Sequence, residues 1–130
     1  MQNISPESVA MTFPHPLLTP IIGRATYQTL AAIHLKLNAN AASIFSNRGD
    51  GIHGLLALSF SPKIYLSTTG MAFPLPVNPG LHPININAAS TSAQIAHATR
   101  EHDAFCEEWQ EYVATNIALK NQLVNAIDDL

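Results

Sequence analysis

Apolar positions spaced three and four residues apart dominate the last third of the chain. Ile95, Ala98, His102, Phe105, Trp109, Tyr112, Asn116, Leu119, Leu123, Ala126 and Leu130 keep this spacing without interruption. Cys106, Val113, Ile117, Val124 and Ile127 widen the stripe to one side. Such a period places one apolar face on a helix, with Ser90 or Ser92 as its N-cap. One helix running from Ser92 to Leu130 would be about 58 Å long at 1.5 Å per residue, which is long for a domain of this size. Thr115 and Asn116 are poor helix formers, so the pattern predicts a break there and helices over 92–113 and 116–130. A single coiled-coil helix is the alternative; the width of the apolar face favours packing into a globular bundle over a narrow two-stranded seam.

The same period, in Tyr27, Leu30, Ile33, His34 and Leu37, predicts a helix over about 25–40. Ser46 to Gly51 is dense in turn formers. The apolar run over 52–60 does not alternate and fits either a buried strand or a buried helix. Ser61-Pro62 reads as an N-cap followed by a proline in the first turn, which predicts a helix over 61–69 with Ile64, Tyr65 and Thr68 on one face. Two short helices are therefore preferred to a hairpin.

Prolines divide this pattern. Pro6, Pro14, Pro16 and Pro20 predict an extended arm over 1–24 without regular helix, carrying Phe13, Leu17 and Leu18 to a docking surface on its own domain or on a neighbour. Pro74, Pro76, Pro79 and Pro83 predict an extended connector from Gly70 to Asn87, held to the domain surface by Phe73, Leu75, Val77, Leu81 and Ile84. The expected fold is mainly α: one helical domain over 25–130, with a Pro-rich arm and a Pro-rich central connector.

With 47% of its 130 residues hydrophobic, the chain can fill one real core. Only 12% of residues are charged, so the surface must draw its polarity from Asn, Ser, Thr, Gln and His, which suits self-association. No uninterrupted apolar run approaches the roughly 20 residues of a membrane-spanning helix. Met1 to Ala10 has neither the basic start nor the apolar run of a signal peptide, and a cytoplasmic protein is expected. Charge is uneven. Through Ser90 there are four basic residues (Arg24, Lys36, Arg48, Lys63) and two acids; from Thr91 there are two basic residues and seven acids. No cluster of Lys and Arg forms a footprint for nucleic acid.

Candidate chemistry lacks partners at every point. His102 and Cys106 share a helix face, but His97 is turned about 140° from His102 and no further metal ligand is in register. Glu107 and Glu108 beside Cys106 oppose a reactive thiolate. Adjacent pairs such as Glu107-Glu108 and Asp128-Asp129 diverge on a helix and read as solvated faces. No phosphate-cradling loop or nucleophile elbow is present. Arg48-Gly49-Asp50 matches an adhesion tripeptide but is better read as a turn. No catalytic, cofactor-binding or metal-binding residue is assigned, and no enzyme activity is expected. Phe105, Trp109 and Tyr112 are the interface candidates, although for Trp109 and Tyr112 a place in the core is the preferred reading.

The order of several segments resembles a known family. Thr26-Tyr27-Gln28-Thr29-Leu30, Leu37-Asn38-Ala39-Asn40-Ala41-Ala42, Gly51-Ile52-His53-Gly54-Leu55-Leu56-Ala57-Leu58 and Ser61-Pro62-Lys63-Ile64-Tyr65 are similar to the N-terminal Gag region of copia-type retrotransposons of protists. So are Phe73-Pro74-Leu75-Pro76-Val77-Asn78-Pro79-Gly80, the helix start at Gln94-Ile95 with His102 and Phe105 following, and Ala118-Leu119-Lys120-Asn121-Gln122-Leu123-Val124-Asn125-Ala126-Ile127. The resemblance implies a capsid-like structural protein that self-associates as a homo-oligomer, with no cofactor. Such regions continue into further helices and some add a zinc knuckle, so RNA contact is expected only through segments absent from this chain. The alternative is a monomeric helical module that binds a partner in a groove between its last helices.

Overall fold

The computed structural model describes residues 4–46, 48, 49, 51–80 and 89–127. Within them the chain is mainly helical: α1 (Pro6–Ala10), α2 (Tyr27–Ala42), a single 3-10 turn (Leu56–Leu58), α3 (Pro62–Thr69) and α4 (Ser92–Ile127). No strand occurs among the described residues. The ambiguous run over 52–60 supplies only that 3-10 turn, entered through Gly54, where a Cβ would collide with the carbonyl oxygens of Ala42 and Ile44. That close approach lets Leu55 N–H reach Ala41 O at 3.1 Å.

The arm is not extended throughout. Ser5 caps α1, its hydroxyl accepting from Ser8 N–H while the Ser8 hydroxyl accepts from Ser5 N–H. Pro6 stands in the first turn, where its missing N–H costs nothing, so the first proline of the arm starts a helix instead of preventing one. Val9 and Phe13 are buried and Leu18 packs on the same core, whereas Leu17 is turned out.

Helix α2 starts at Thr26, whose side chain forms a capping box with Thr29. Its buried positions are Ile33, Leu37, Asn40 and Ala41, at steps of four, three and one. The predicted stripe holds only at Ile33 and Leu37; Tyr27 and Leu30 are exposed, and His34 turns to Ser59 O at 3.0 Å. Ser61 caps α3 through Ile64 N–H, and Gly70 closes it. Tyr65 is fully buried there, but Ile64 and Thr68 are exposed, so those three do not share one buried face.

Helix α4 is continuous, which corrects the predicted break over 114–116. Its 36 residues span about 54 Å. Thr115 lies at the centre of the core with no exposed surface, and its hydroxyl donates to Glu111 O at 2.7 Å inside the helix. Burial against the neighbouring elements outweighs a propensity deficit of well under about 1 kcal/mol per residue. Residues 128–130, with Leu130 and the Asp128-Asp129 pair, lie outside the described residues.

The core joins the arm to α2 and α4. Val9, Phe13, Ile21, Ile33, Leu37 and Ala41 pack on Ala114, Ala118, Leu119 and Ala126. Ile21 N–H donates to Ala126 O at 2.8 Å, tying the arm to the end of α4. Small side chains on α4 are what let α1 and α2 come this close. Residues 71–80 carry no regular structure; Phe73 meets Tyr65 edge to face at 5.5 Å, Pro76 is buried, and Leu75 and Val77 are exposed. The expectations for Leu81, Pro83, Ile84 and Asn87 lie outside the described residues. No helix among the described residues is long and apolar enough to cross a membrane.

Candidate functional site

The two sides of α4 are reversed from what its pattern predicts. The buried positions are Ala114, Thr115, Ala118, Leu119, Gln122 and Ala126. At about 100° per residue these centre on one direction, and Val113, Ile117, Lys120 and Val124 centre on nearly the opposite one. Ile117 is 41% exposed and Val124 53%. Helix α4 thus packs through its small and amide-bearing face and presents branched apolar side chains away from the core. Among the described residues of the three-four stripe, only Leu119 and Ala126 are buried. A strict 3.5-residue repeat drifts about 20° per heptad on a 3.6-residue helix, so the stripe reaches the core only near the C-terminal end.

Upstream, the face that will become the packed one carries Ala104, Glu107, Glu108 and Glu111. With Phe45 and Leu55, these line a cavity of about 350 Å³. Burial, then the Glu107 and Glu108 carboxylates, push Glu111 above its ordinary value of 4.5. Glu108 is neutralised by an ion pair with Arg48, whose Nη1 also donates to Pro74 O at 3.1 Å. The arginine of the Arg-Gly-Asp tripeptide therefore points inward; Asp50 lies outside the described residues. Gly49 has φ +64°, and a Cβ there would overlap the Tyr65 hydroxyl.

The larger cavity, about 850 Å³, lies between residues 75–79 and the N-terminal half of α4. Leu75, Val77 and Phe105 give it apolar walls, and Glu101 and His102 give it polar edges. His102, which lines it, donates from Nε2 to Gly80 O at 3.0 Å. Cys106 Sγ is 3.7 Å and 3.6 Å from the two ring nitrogens of His102. His97 is turned to Glu101, at 3.5 Å, and not to this pair. Among the described residues no group of three or more His, Cys, Asp or Glu side chains is placed to hold a metal ion.

The three interface candidates differ in exposure. Phe105 is 46% exposed and lines the groove. Trp109 and Tyr112 are half-buried and pair with each other, ring centroids 5.6 Å apart. Sequence reasoning missed the groove, which needs the connector folded back on α4, and missed the exposed ridge at Ile117, Lys120 and Val124. The residues of that ridge were visible as a widening of the stripe, but their direction was not. No protein-family model, curated protein or solved structure matches this chain.

Proposed function

We propose that the chain is a non-enzymatic assembly protein of the Gag capsid type, acting through self-association. One observation carries this reading: the ridge of Ile117 and Val124 is exposed on the side of α4 opposite the core, where full burial would require another surface. The low charge density of the chain lowers the cost of bringing copies together. The resemblance to copia-type Gag adds the shell as the object assembled and the cytoplasm as the place. Contact with RNA falls to segments outside this chain, since its basic residues are few and scattered.

Light scattering on the full chain across a concentration series tests the reading. The expected result is a mass that rises above that of one chain as concentration increases. A mass fixed at one chain at the highest concentration reached would overturn it.

The 850 Å³ groove favours a second reading, a monomeric module that takes an extended partner peptide. The groove lies between the connector and α4, not between two terminal helices. A monomer that captures a defined peptide with displacement of Phe105 resonances would support this reading in place of assembly.

A further inference from the structure

Two surfaces of the molecule are complementary to each other and lie at different places on it. The first is the outer ridge of α4, apolar at Ile117 and Val124, with one cation, Lys120, between them. Among the described residues Lys120 has no ion-pair partner. The second is the groove beside residues 75–79, apolar at Leu75, Val77 and Phe105, with Glu101 at its edge. The Glu101 carboxylate is 55% exposed, and among the described residues its one ion-pair partner is the exposed His97 ring at 3.5 Å. Glu108, the other carboxylate of the groove, is already taken by Arg48. Among the described residues Glu101 is thus the groove carboxylate not paired with an arginine, in a lining of mixed apolar and polar side chains, and the ridge offers one cation, Lys120, within an apolar strip.

We infer that copies of this chain associate head to tail, the α4 ridge of one copy seated in the groove of the next with Lys120 against Glu101. This inference rests on the self-association reading and specifies its geometry. The centres of ridge and groove are about 18 residues apart on α4, roughly 27 Å along its axis, so both can be engaged on one molecule at once. A contact between two different patches that is not reciprocated within one pair propagates into rings or filaments instead of closing into a two-fold dimer. Pairing of ridge with ridge is disfavoured by charge. Lys120 sits midway between Ile117 and Val124, so parallel or antiparallel self-pairing would bring Lys120 onto its own copy, and like charges at an interface suppress that partner. The groove volume is within the roughly 300–1,000 Å³ of cavities that enclose a ligand group.

Sedimentation velocity on the full chain, on K120E, on E101K and on an equimolar mixture of the two tests the geometry. Both positions are exposed, and thermal melts establish that each variant is folded; K120Q and E101Q replace any that is not. The expected result is a wild-type mass that passes beyond dimer with concentration and falls with added salt. Each reversal should weaken association about tenfold or more, and the mixture should recover it. A wild type that stops at dimer, with a constant unchanged in E101K, overturns the head-to-tail contact while leaving self-association standing. A mixture no stronger than either variant alone also overturns it. A wild type monomeric at every concentration overturns both.

Discussion

Asn40 on α2 donates from Nδ2 to Gln122 Oε1 on α4 at 2.9 Å, and the two amides together clamp the backbone of the arm between them. Asn40 accepts from His15 N–H through Oδ1 and donates to His15 O, both at 2.9 Å. Gln122 Nε2 donates to His15 O and Pro16 O, each at 3.0 Å. Asn40 has no exposed surface. Replacing Asn40 by Ala leaves a buried N–H, a carbonyl and a glutamine oxygen short of partners, at about 1–3 kcal/mol for each group left unsatisfied. The expected loss in urea unfolding is about 3 kcal/mol or more, with new proteolytic cleavage in the arm after Phe13. A loss below about 1 kcal/mol would mean that the clamp is solvated.

Tyr65 and Gly49 form a second testable pair. The Tyr65 hydroxyl is buried without a hydrogen-bond partner among the described residues, while its ring lies edge to face with Phe73. Removing an unsatisfied buried hydroxyl and keeping the ring is expected to leave stability unchanged or raise it by up to about 1 kcal/mol in Tyr65→Phe. Gly49→Ala is expected to destabilise, because its φ of +64° strains a side chain and its Cβ would meet that hydroxyl. The overlap is partly relieved when both changes are made, so the double-mutant cycle should show coupling between them. Additive effects would place the loop further from Tyr65.

Glu111 sets a pH dependence. Its folded-state value is raised above 4.5, first by burial and then by Glu107 and Glu108, so the folded chain holds that proton more tightly than the unfolded chain does. The stabilisation from this proton is fully present below the unfolded value. It is lost as pH rises through the raised value. Glu111→Gln keeps the shape and removes the charge, so its melting temperature should exceed that of the wild type at neutral pH, and the difference should vanish below the ordinary carboxylate range. An identical difference at pH 4 and pH 7 would assign the effect to packing.

The mainly helical class was legible because three-four spacing is a local property of the chain. Both failures along α4 have one cause. The break expected at Thr115 rests on propensity, yet the hydroxyl of Thr115 is satisfied within the helix and its side chain lies in the core. The stripe of Phe105, Trp109 and Tyr112 rests on the rule that the apolar face turns inward. That rule was overridden where Ala114, Ala118 and Ala126 allow close approach and where Gln122 is needed to hold the arm. Helix α1 was missed for a different reason: four prolines obscured a Ser-Pro start that is favourable at a first turn. The groove depends on contacts such as His102 with Gly80 and Arg48 with Pro74, which join residues more than twenty positions apart and have no periodic signature.

Ile117 and Leu119 are two positions apart and should report opposite roles. Leu119 is 7% exposed and belongs to the core with Val9 and Phe13, whereas Ile117 is 41% exposed on the far side of α4. Truncation of Leu119 to Ala removes packed atoms and leaves a cavity between the arm and α4, for an expected loss of about 2–5 kcal/mol. Truncation of Ile117 to Ala removes far less packing within one copy than Leu119→Ala does, keeps a strong helix former in place, and should change the stability of the dilute monomer by less than about 1 kcal/mol. Its cost should appear at high concentration instead, as a smaller sedimenting species at equal loading. The pair separates folding from assembly on a single helix, because chemical denaturation at low concentration reads the first and sedimentation reads the second. If Ile117→Ala lowers the denaturation midpoint as far as Leu119→Ala does, the ridge is buried within the monomer and the outward face of α4 is not a contact surface.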